Sequence, residues 1–367
     1  MSKPPVEVPQ GAIRFNTDSQ KMEFFAQDQW WEMVTDVPNL GGNGAYGGSP
    51  TGNSADQVSG ARALIGAGYN GSAYSKNIDY FNIGSTGNAI NFGDMQNICG
   101  WMGALADRTR GIFVNDGGNG GGNSNTSYVT IASTGNSVTF GNSNVSKNYV
   151  GALASSTRGV RGGGYTPSPL AGITDIDYCT IQSTGTWKDF GDLIIAGAIS
   201  TGKLTHGSGI SSPTRGMWGG GSHYAPAGSA VVVDNIDYIT IATTGDSQDF
   251  GNLSRARKAV AGCANSTRGI WSGGYTPTYV SRMDYVTLAT LGTAAEFGDS
   301  TWAGAYKSGA SSPTRGTWSG GRQNPSPGRE KIIDYVSIAS TGDAIDFGDL
   351  VTNHDGAGGC SNAHGGL

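Results

Sequence analysis

Apolar residues in this chain fall in short runs of four to seven, each bounded by Gly, Ser, Thr, Asn or Asp, and nowhere at a sustained helical period. Such runs predict strands joined by tight turns. The clearest stretch holds four of them. They are a small-residue run Ala259-Val260-Ala261-Gly262-Cys263, then Gly269 to Gly274, then Asp284 to Thr290, then Ala294 to Phe297. Between the third and fourth runs most copies read Ser/Thr-Thr-Gly, as in Ser133-Thr134-Gly135 and Ser340-Thr341-Gly342. Glycine there supplies the positive φ of a tight hairpin.

The four-run unit recurs. A Phe-Gly pair returns at Phe92, Phe140, Phe190, Phe250, Phe297 and Phe347, at spacings of 48, 50, 60, 47 and 50 residues. A tyrosine leads each third run (Tyr80, Tyr128, Tyr178, Tyr238, Tyr285, Tyr335), and an arginine opens each copy (Arg62, Arg110, Arg158, Arg215, Arg268, Arg315). Three independent markers therefore count six copies. Four strands in a period near 50 is the size of one propeller blade.

The first run of each copy is built from very small residues. Aligned on the arginine, one position reads Ala104, Ala152, Gly209, Gly262, Gly309, Gly359, and the position before it Gly103, Gly151, Ser208, Ala261, Ser308, Gly358. Residues this small on both faces predict an innermost strand, where blades converge on a narrow central channel. The first copy begins at its second strand, Arg62 to Gly68, and an orphan first strand, Gly356 to Cys360, follows the last copy. The orphan is expected to complete the blade begun near Arg62, which removes exposed sheet edges.

Composition supports this reading by exclusion. Glycine makes up 62 of 367 residues, far above the roughly 7% of average proteins. It does not recur every third residue, so collagen is excluded, and apolar residues spread along the whole chain argue against disorder. A net charge of −5 with no basic cluster argues against nucleic acid. No window approaches the ~18 apolar residues of a membrane span, and Met1 to Pro5 lacks the apolar core of a signal peptide. Cys99, Cys179, Cys263 and Cys360 lie far apart, as do His206, His223, His354 and His364. Without metal-ligand spacing, the thiols read as reduced and buried.

The Gly-Gly doublet after an apolar strand (Gly273-Gly274, Gly320-Gly321), followed by a loop and an aromatic-bearing strand, resembles kelch repeats over about residues 61–367. The fourth-strand kelch tryptophan is replaced by Phe-Gly-Asp/Asn, and the second copy has Asn115-Asp116 in place of the doublet and no Asp before Tyr128. The consensus Thr-Arg-Gly-(Ile/Met)-(Phe/Trp)-x-Gly-Gly…Ile-Asp-Tyr-x-Thr-Ile-Ala…Asp-Phe-Gly-Asp-Leu is similar to repeats in virion proteins of tailed phages, marine and cyanobacterial ones in particular. Gly11 to Asp18, Lys21 to Phe25 and Gln29 to Met33 resemble a short motif of phage tail-fibre and virion-appendage proteins. These residues also read directly as a β-meander with a turn at Asp18-Ser19-Gln20. Its apolar set, with Ile13, Phe15, Met22, Phe24, Trp30, Trp31 and Met33, is too dense for ~35 residues to bury alone. Ile13, Phe15, Phe24, Trp30 and Trp31 are the candidate docking or oligomerisation residues. Pro38 to Ser59 reads as a Gly/Asn/Ser-rich linker.

Repetition decides how the polar residues read. Asp79, Asp177, Asp237, Asp284 and Asp334 precede the tyrosine in five copies, whereas an acid–base pair for glycoside cleavage is needed once. They are expected to pair with the repeated arginines or to cap turns. Exchange of Asp94, Asp192, Asp299 and Asp349 with Asn142 and Asn252 likewise suggests side chains bonding their own turns. No sialidase-type Asp box occurs. His223 beside Tyr224 is an isolated hint of a copper-type His/Tyr set, so no catalytic, cofactor or metal residue is assigned. What varies is the loop between second and third strands, and variable loops on a constant frame carry recognition. Candidate contacts are Tyr165, Thr166, Pro167, His223, Tyr224, Tyr275, Thr276, Tyr279, Arg322 and Asn324. Tyrosine offers an apolar face and a hydroxyl to sugars and proteins alike.

The expected fold is therefore all-β: a six-bladed kelch-like β-propeller over 61–367, closed by its C-terminal strand. A β-rich module over 1–36 and a linker over 37–60 precede it. The resemblance implies a non-enzymatic virion protein of a phage tail fibre or tail appendage, docked to other virion proteins through its N-terminal module as a homo-oligomer, a trimer. The propeller would contact a host-surface glycan or protein, with no nucleic acid and no membrane insertion. A capsid-decoration or neck role, and a carbohydrate-active enzyme, remain the alternatives.

Overall fold

The computed structural model describes residues 9, 12–16, 21–26, 29–32, 60–114, 124–167, 170–194, 202–224, 230–323 and 328–367. Of the stretch read as a linker, 37–60, all but Gly60 lies outside them, as do Met33, Asn115, Asp116 and Asn324. The chain divides into two units, Met1–Ser59 and Gly60–Leu367.

The first unit is a three-stranded antiparallel meander of Ile13–Asn16, Lys21–Ala26 and Gln29–Glu32. Arg14 ion-pairs with Glu23 at 2.7 Å and lies 4.2 Å over the Trp30 ring, and Phe25 meets Trp30 edge-on at 5.3 Å. Trp30 thus packs within the meander, whereas Ile13 is 58% exposed. The backbones of Phe15, Phe24 and Trp31 lie in these strands; their side chains are outside the described residues.

The second unit is all-β, and the described residues contain no helix. It comprises six four-stranded antiparallel sheets in a propeller-like arrangement. Sheet 1 is Gly358–Ser361, Arg62–Gly66, Ser75–Asn82 and Ile90–Cys99. Sheet 2 is Gly103–Ala106, Arg110–Val114, Asn125–Thr130 and Val138–Asn142. Sheet 3 is Gly151–Ala154, Arg158–Gly162, Asp175–Thr180 and Lys188–Asp192. Sheet 4 is Gly209–Ser211, Arg215–Gly219, Asn235–Thr240 and Gln248–Asn252. Sheet 5 is Ala261–Ala264, Arg268–Ser272, Arg282–Thr287 and Ala295–Asp299. Sheet 6 is Ser308–Ser311, Arg315–Ser319, Ile332–Ser337 and Ile345–Asp349. As the strand count predicts, Gly358–Ser361 pairs with the first copy, Gly358 opposite Gly66 and Ser361 opposite Ala63. First strands of successive sheets contact one another, and that of sheet 1 contacts those of sheets 6 and 2.

The core lies between sheets. Ile210, Met217, Ile236 and Phe250 of sheet 4 pack with Trp271, Val286 and Leu288 around sheet 5, and the other interfaces repeat this composition. Tryptophans on the second strands also reach back one sheet. Trp218, Trp271 and Trp318 donate from Nε1 to the Gly151, Ser208 and Ala261 carbonyls at 2.9, 2.8 and 3.0 Å.

The sequence markers build the joints between sheets. Each opening arginine lies 4.5–5.0 Å over the tyrosine of its own sheet, from Arg158 on Tyr178 to Arg215 on Tyr238. Its guanidinium then donates to a carbonyl of the next sheet: Arg62 to Ile131, Arg110 to Ile181, Arg158 to Ile241, Arg215 to Leu288, Arg268 to Ile338, and Arg315 to Ile83. The six donations run through all six sheets and return to the first. Each tyrosine meets the Phe of its Phe-Gly pair edge-on, as Tyr80 meets Phe92 at 5.6 Å. That Phe carbonyl accepts from the turn glycine of the next sheet, Gly135 to Phe92 at 2.9 Å and Gly87 to Phe347 at 2.9 Å. The glycine of the pair follows from this approach: a Cβ on Gly141 would collide with the Gly185 carbonyl.

Candidate functional site

The loop entering each first strand carries a residue in the left-handed region: Trp101 (φ 60°), Tyr149 (57°), His206 (49°), Ala259 (57°), Tyr306 (59°) and Gly356 (65°). Non-glycine residues rarely adopt this conformation. Its use here is visible in the backbone hydrogen bonds. Trp101 N–H donates to the Gly356 carbonyl (2.7 Å), Tyr149 to Trp101 (2.9 Å), His206 to Tyr149 (2.9 Å), Tyr306 to Ala259 (3.0 Å) and Gly356 to Tyr306 (3.1 Å). In five of the six the turn aims the N–H at the neighbouring sheet around the channel.

Four side chains of this set close over the mouth. Trp101 meets Tyr149 at 5.2 Å and Tyr306 at 5.0 Å, and His206 meets Tyr149 at 5.0 Å and Tyr306 at 5.9 Å. Edge-to-face and tilted contacts at these distances are the favourable aromatic geometries. Gly356 stands where the Trp101 ring needs space. A Cβ on Gly356 would lie 2.5 Å from Trp101 Cε3.

The cluster is uncharged at neutral pH. Burial, with Lys258 nearby, lowers the His206 imidazole to about 3, and His206 Nε2 lies 3.4 Å from Ser222 Oγ. Burial and surrounding tyrosines push the Tyr149 hydroxyl above its ordinary range, and burial first pushes Tyr306 to about 12. Both hydroxyls therefore remain protonated and available as donors.

The variable loops meet this cluster. After each Gly-Gly step, whose two glycines both have positive φ (66° and 115° at Gly163-Gly164), the next residue pairs with the loop entering its own first strand. Tyr165 exchanges two backbone bonds with Asn148, Tyr275 with Lys258, and Arg322 with Ala305; Tyr69 does the same with Asp355. Tyr165 and Tyr74 thereby stand within electrostatic reach of Tyr149, while Tyr275, Tyr279 and Arg322 stand within reach of Tyr306. Tyr275 and Tyr279 pack edge-on at 5.1 Å with Lys258 Nζ 5.7 Å over Tyr275, and Tyr69 packs on Tyr74 at 4.9 Å. These tyrosines are half-buried, each keeping part of its ring in solvent.

Four candidate residues thus come together: Tyr165, Tyr275, Tyr279 and Arg322. His223 and Thr276 do not present themselves to solvent, being 4% and 9% exposed. His223 lies in a small sheet of Lys203–Leu204, Ser222–Tyr224 and Ala230–Val232. Thr166 is half-buried in a hairpin of Tyr165–Pro167 and Leu170–Gly172. Pro167 and Tyr224 are described in backbone only, and Asn324 is outside the described residues. Sequence reasoning missed Trp101, Tyr149, His206, Tyr306, Tyr69 and Tyr74. One signal was available: the first four of these stand two residues before the small residue (Gly103, Gly151, Ser208, Ser308) of their copies.

The channel behind the rings offers no room for a ligand. Its cavities, lined by Ala104, Ala152, Gly209, Cys263, Ala310 and Cys360 among others, measure about 50 and 40 Å³, space for one or two waters. Burial pushes the Cys263 thiol above the ordinary range and Cys360 to about 12, so both are protonated. Residues 362–367 cross the opposite mouth. Gly366 N–H donates to His364 Nδ1 (3.0 Å), which leaves His364 Nε2 to donate to the Ala106 carbonyl (2.7 Å). Cβ atoms on Gly365 and Gly366 would collide with the Asn265 and Ala154 carbonyls.

The repeated aspartates are not at either mouth, nor do they pair with the repeated arginines. Four of the five are buried against other cations: Asp177 with Lys147 and Arg161, Asp237 with Lys203, Asp284 with Arg257, and Asp334 with Lys307; Asp79 accepts from the Val351 N–H instead. Among the described residues no group of three or more His, Cys, Asp or Glu side chains is placed to hold a metal. The arrangement can stack on flat apolar faces and exchange hydrogen bonds with hydroxyls. No protein-family model and no curated protein matches this chain.

Proposed function

We propose that this protein is a virion component of a tailed phage, in a tail fibre or tail-associated appendage, and that its 61–367 region is a six-bladed kelch-like β-propeller serving host adhesion. The N-terminal meander is the docking and trimerisation element toward other virion proteins, and Ile13, 58% exposed, is its available apolar residue. The observation that carries the adhesion reading is convergence. Tyr165, Tyr275, Tyr279 and Arg322, chosen for loop variability, gather around Tyr149 and Tyr306 at one channel mouth. Half-buried tyrosines with protonated hydroxyls match a saccharide, which presents C–H faces for stacking and hydroxyls for hydrogen bonding. A host-surface glycan is therefore the favoured partner.

Immunogold electron microscopy with antibody to residues 60–367 tests the assignment on intact particles. Label on the tail or its fibres is expected; label over the head indicates decoration, and unlabelled particles overturn the virion reading. Binding of the full chain to purified host polysaccharide tests the partner. Tyr165→Ala with Tyr275→Ala is expected to weaken it at least tenfold, since each lost stack costs about 1 kcal/mol. Equal binding by the variant overturns the mouth as the contact surface.

A further inference from the structure

Four sheets solve one buried problem in the same way. The aspartate on the third strand meets a cation from the loop entering the first strand of its own sheet: Lys147 (3.1 Å), Lys203 (2.8 Å), Arg257 (3.0 Å) or Lys307 (3.4 Å). In three of them the cation also donates to the carbonyl two residues before the aspartate: Lys147 to Asp175, Lys203 to Asn235, and Arg257 to Arg282. The cation comes from two or three residues before the left-handed residue, or one after it. In sheet 2 serine replaces the aspartate (Ser127), and those three positions hold uncharged Ile98, Cys99 and Met102. Charge is lost from both sides together, as burial requires.

Sheet 1, made from both ends of the unit, breaks the rule. Asp79 is kept at 2% exposure, yet the three positions hold Asn353, His354 and Ala357. Asp79 Oδ2 accepts from Val351 N–H at 3.1 Å, as Asp284 Oδ2 accepts from the equivalent Ser254 N–H at 3.0 Å. The loop therefore sits as in its siblings. His354 takes the place of the cation: a Cβ built on Gly68 would lie 3.0 Å from His354 Cβ, as Gly274 would from Arg257 Cβ (3.4 Å) and Gly164 from Lys147 Cβ (3.5 Å). An imidazole is shorter than a lysine stem and stops short of the carboxylate. Asp79 Oδ1 and His354 Nε2 are both buried without a hydrogen-bond partner. A neutral imidazole carries a lone pair on one of its two ring nitrogens. A buried carboxylate oxygen is thus left unsatisfied where sibling sheets put a cationic donor, with an unpartnered imidazole nitrogen on the loop that supplies that donor.

We infer that an exogenous monovalent cation of the ammonium class, ammonium itself or potassium of similar size, fills this place between Asp79, His354 and the Asn77 carbonyl. Charge balance selects the valence. One positive charge neutralises Asp79 as each lysine neutralises its aspartate, whereas a divalent ion leaves a surplus charge in a dry site. This inference is independent of the adhesion reading.

Thermal unfolding of the full chain at pH 7.5, in NaCl, KCl and NH4Cl at equal ionic strength, tests it. The midpoint is expected to rise by several degrees in KCl or NH4Cl over NaCl and to grow with the logarithm of concentration, as ligand binding to the folded state requires. Whichever salt acts identifies the ion. Asp79→Asn is expected to abolish the difference, and His354→Lys to raise the midpoint in every salt while removing it. Coincident wild-type midpoints in the three salts, which a bridging water would give, overturn the proposal. So does an ion-specific rise that survives in Asp79→Asn.

Discussion

The two mouths of the central channel are closed by different materials. At one, Trp101, Tyr149, His206 and Tyr306 lean together from separate sheets, held by backbone bonds that step from sheet to sheet. At the other, residues 362–367 lie across the opening, and their glycines touch the Asn265 and Ala154 carbonyls. At Gly365 and Gly366 this closure is backbone against backbone and tolerates no side chain, and the His364 ring fastens it to the Ala106 carbonyl. The aromatic closure is side chain against side chain, and its outer rings keep part of their faces in solvent. The same task thus leaves one mouth architectural and the other chemically equipped.

The comparison breaks first at the glycines. Gly366→Val is expected to lower unfolding stability by about 3 kcal/mol in urea titrations, through overpacking against the Ala154 carbonyl. Polysaccharide binding by the molecules that remain folded should be unchanged. Tyr306→Ala at the aromatic mouth should cost less, about 2 kcal/mol, because the ring it removes is half-buried. The same variant should weaken binding at least tenfold, which separates the two closures by function.

Acid sharpens the contrast through histidine. Burial lowers His206 to about 3 and His354 to about 4, and lowers His364 as well, against about 6.5 in the unfolded chain. Below pH 6.5 the unfolded state takes protons that the folded state refuses, so stability is full above that value and falls as pH drops toward 4. His206→Phe should flatten the pH dependence of the urea midpoint between pH 6.5 and 4 while keeping the ring contacts. The smallest stability effect is expected for Tyr165→Ala, about 0.5 kcal/mol, since a half-buried loop side chain is all that changes. Its binding loss should nevertheless match that of Tyr306→Ala.

Much of the frame was legible because its markers act locally and repeat. Tyr178 and Phe190 stand 12 residues apart, as their counterparts do in every copy, and Arg158 precedes them, because each stacks on the next within one sheet. Small residues such as Gly151 and Ala152 report the crowding of first strands around the channel. The aromatic mouth was not legible in the same way. Its six positions read Trp, Tyr, His, Ala, Tyr and Gly, and they share a backbone conformation instead of a side chain. The loop tyrosines were found through variability, but nothing in their spacing says that Tyr165 and Tyr275 face one centre.

The aspartates mark where sequence reasoning ends. Their repetition shows a structural role, but their cations arrive from three different positions along the entering loop, Lys147, Lys203 and Lys307, so no fixed spacing links the partners. By itself the sequence determined six copies of four strands and the pairing of the last strand with the first copy, because strand propensity, turn chemistry and repeat spacing are properties of neighbouring residues. Only the tertiary structure decided which side chains meet at the mouth and which buried charge lacks a partner. Those depend on distances between residues 50 to 300 positions apart, as between Asp79 and Val351, and on the desolvation felt once sheets have packed.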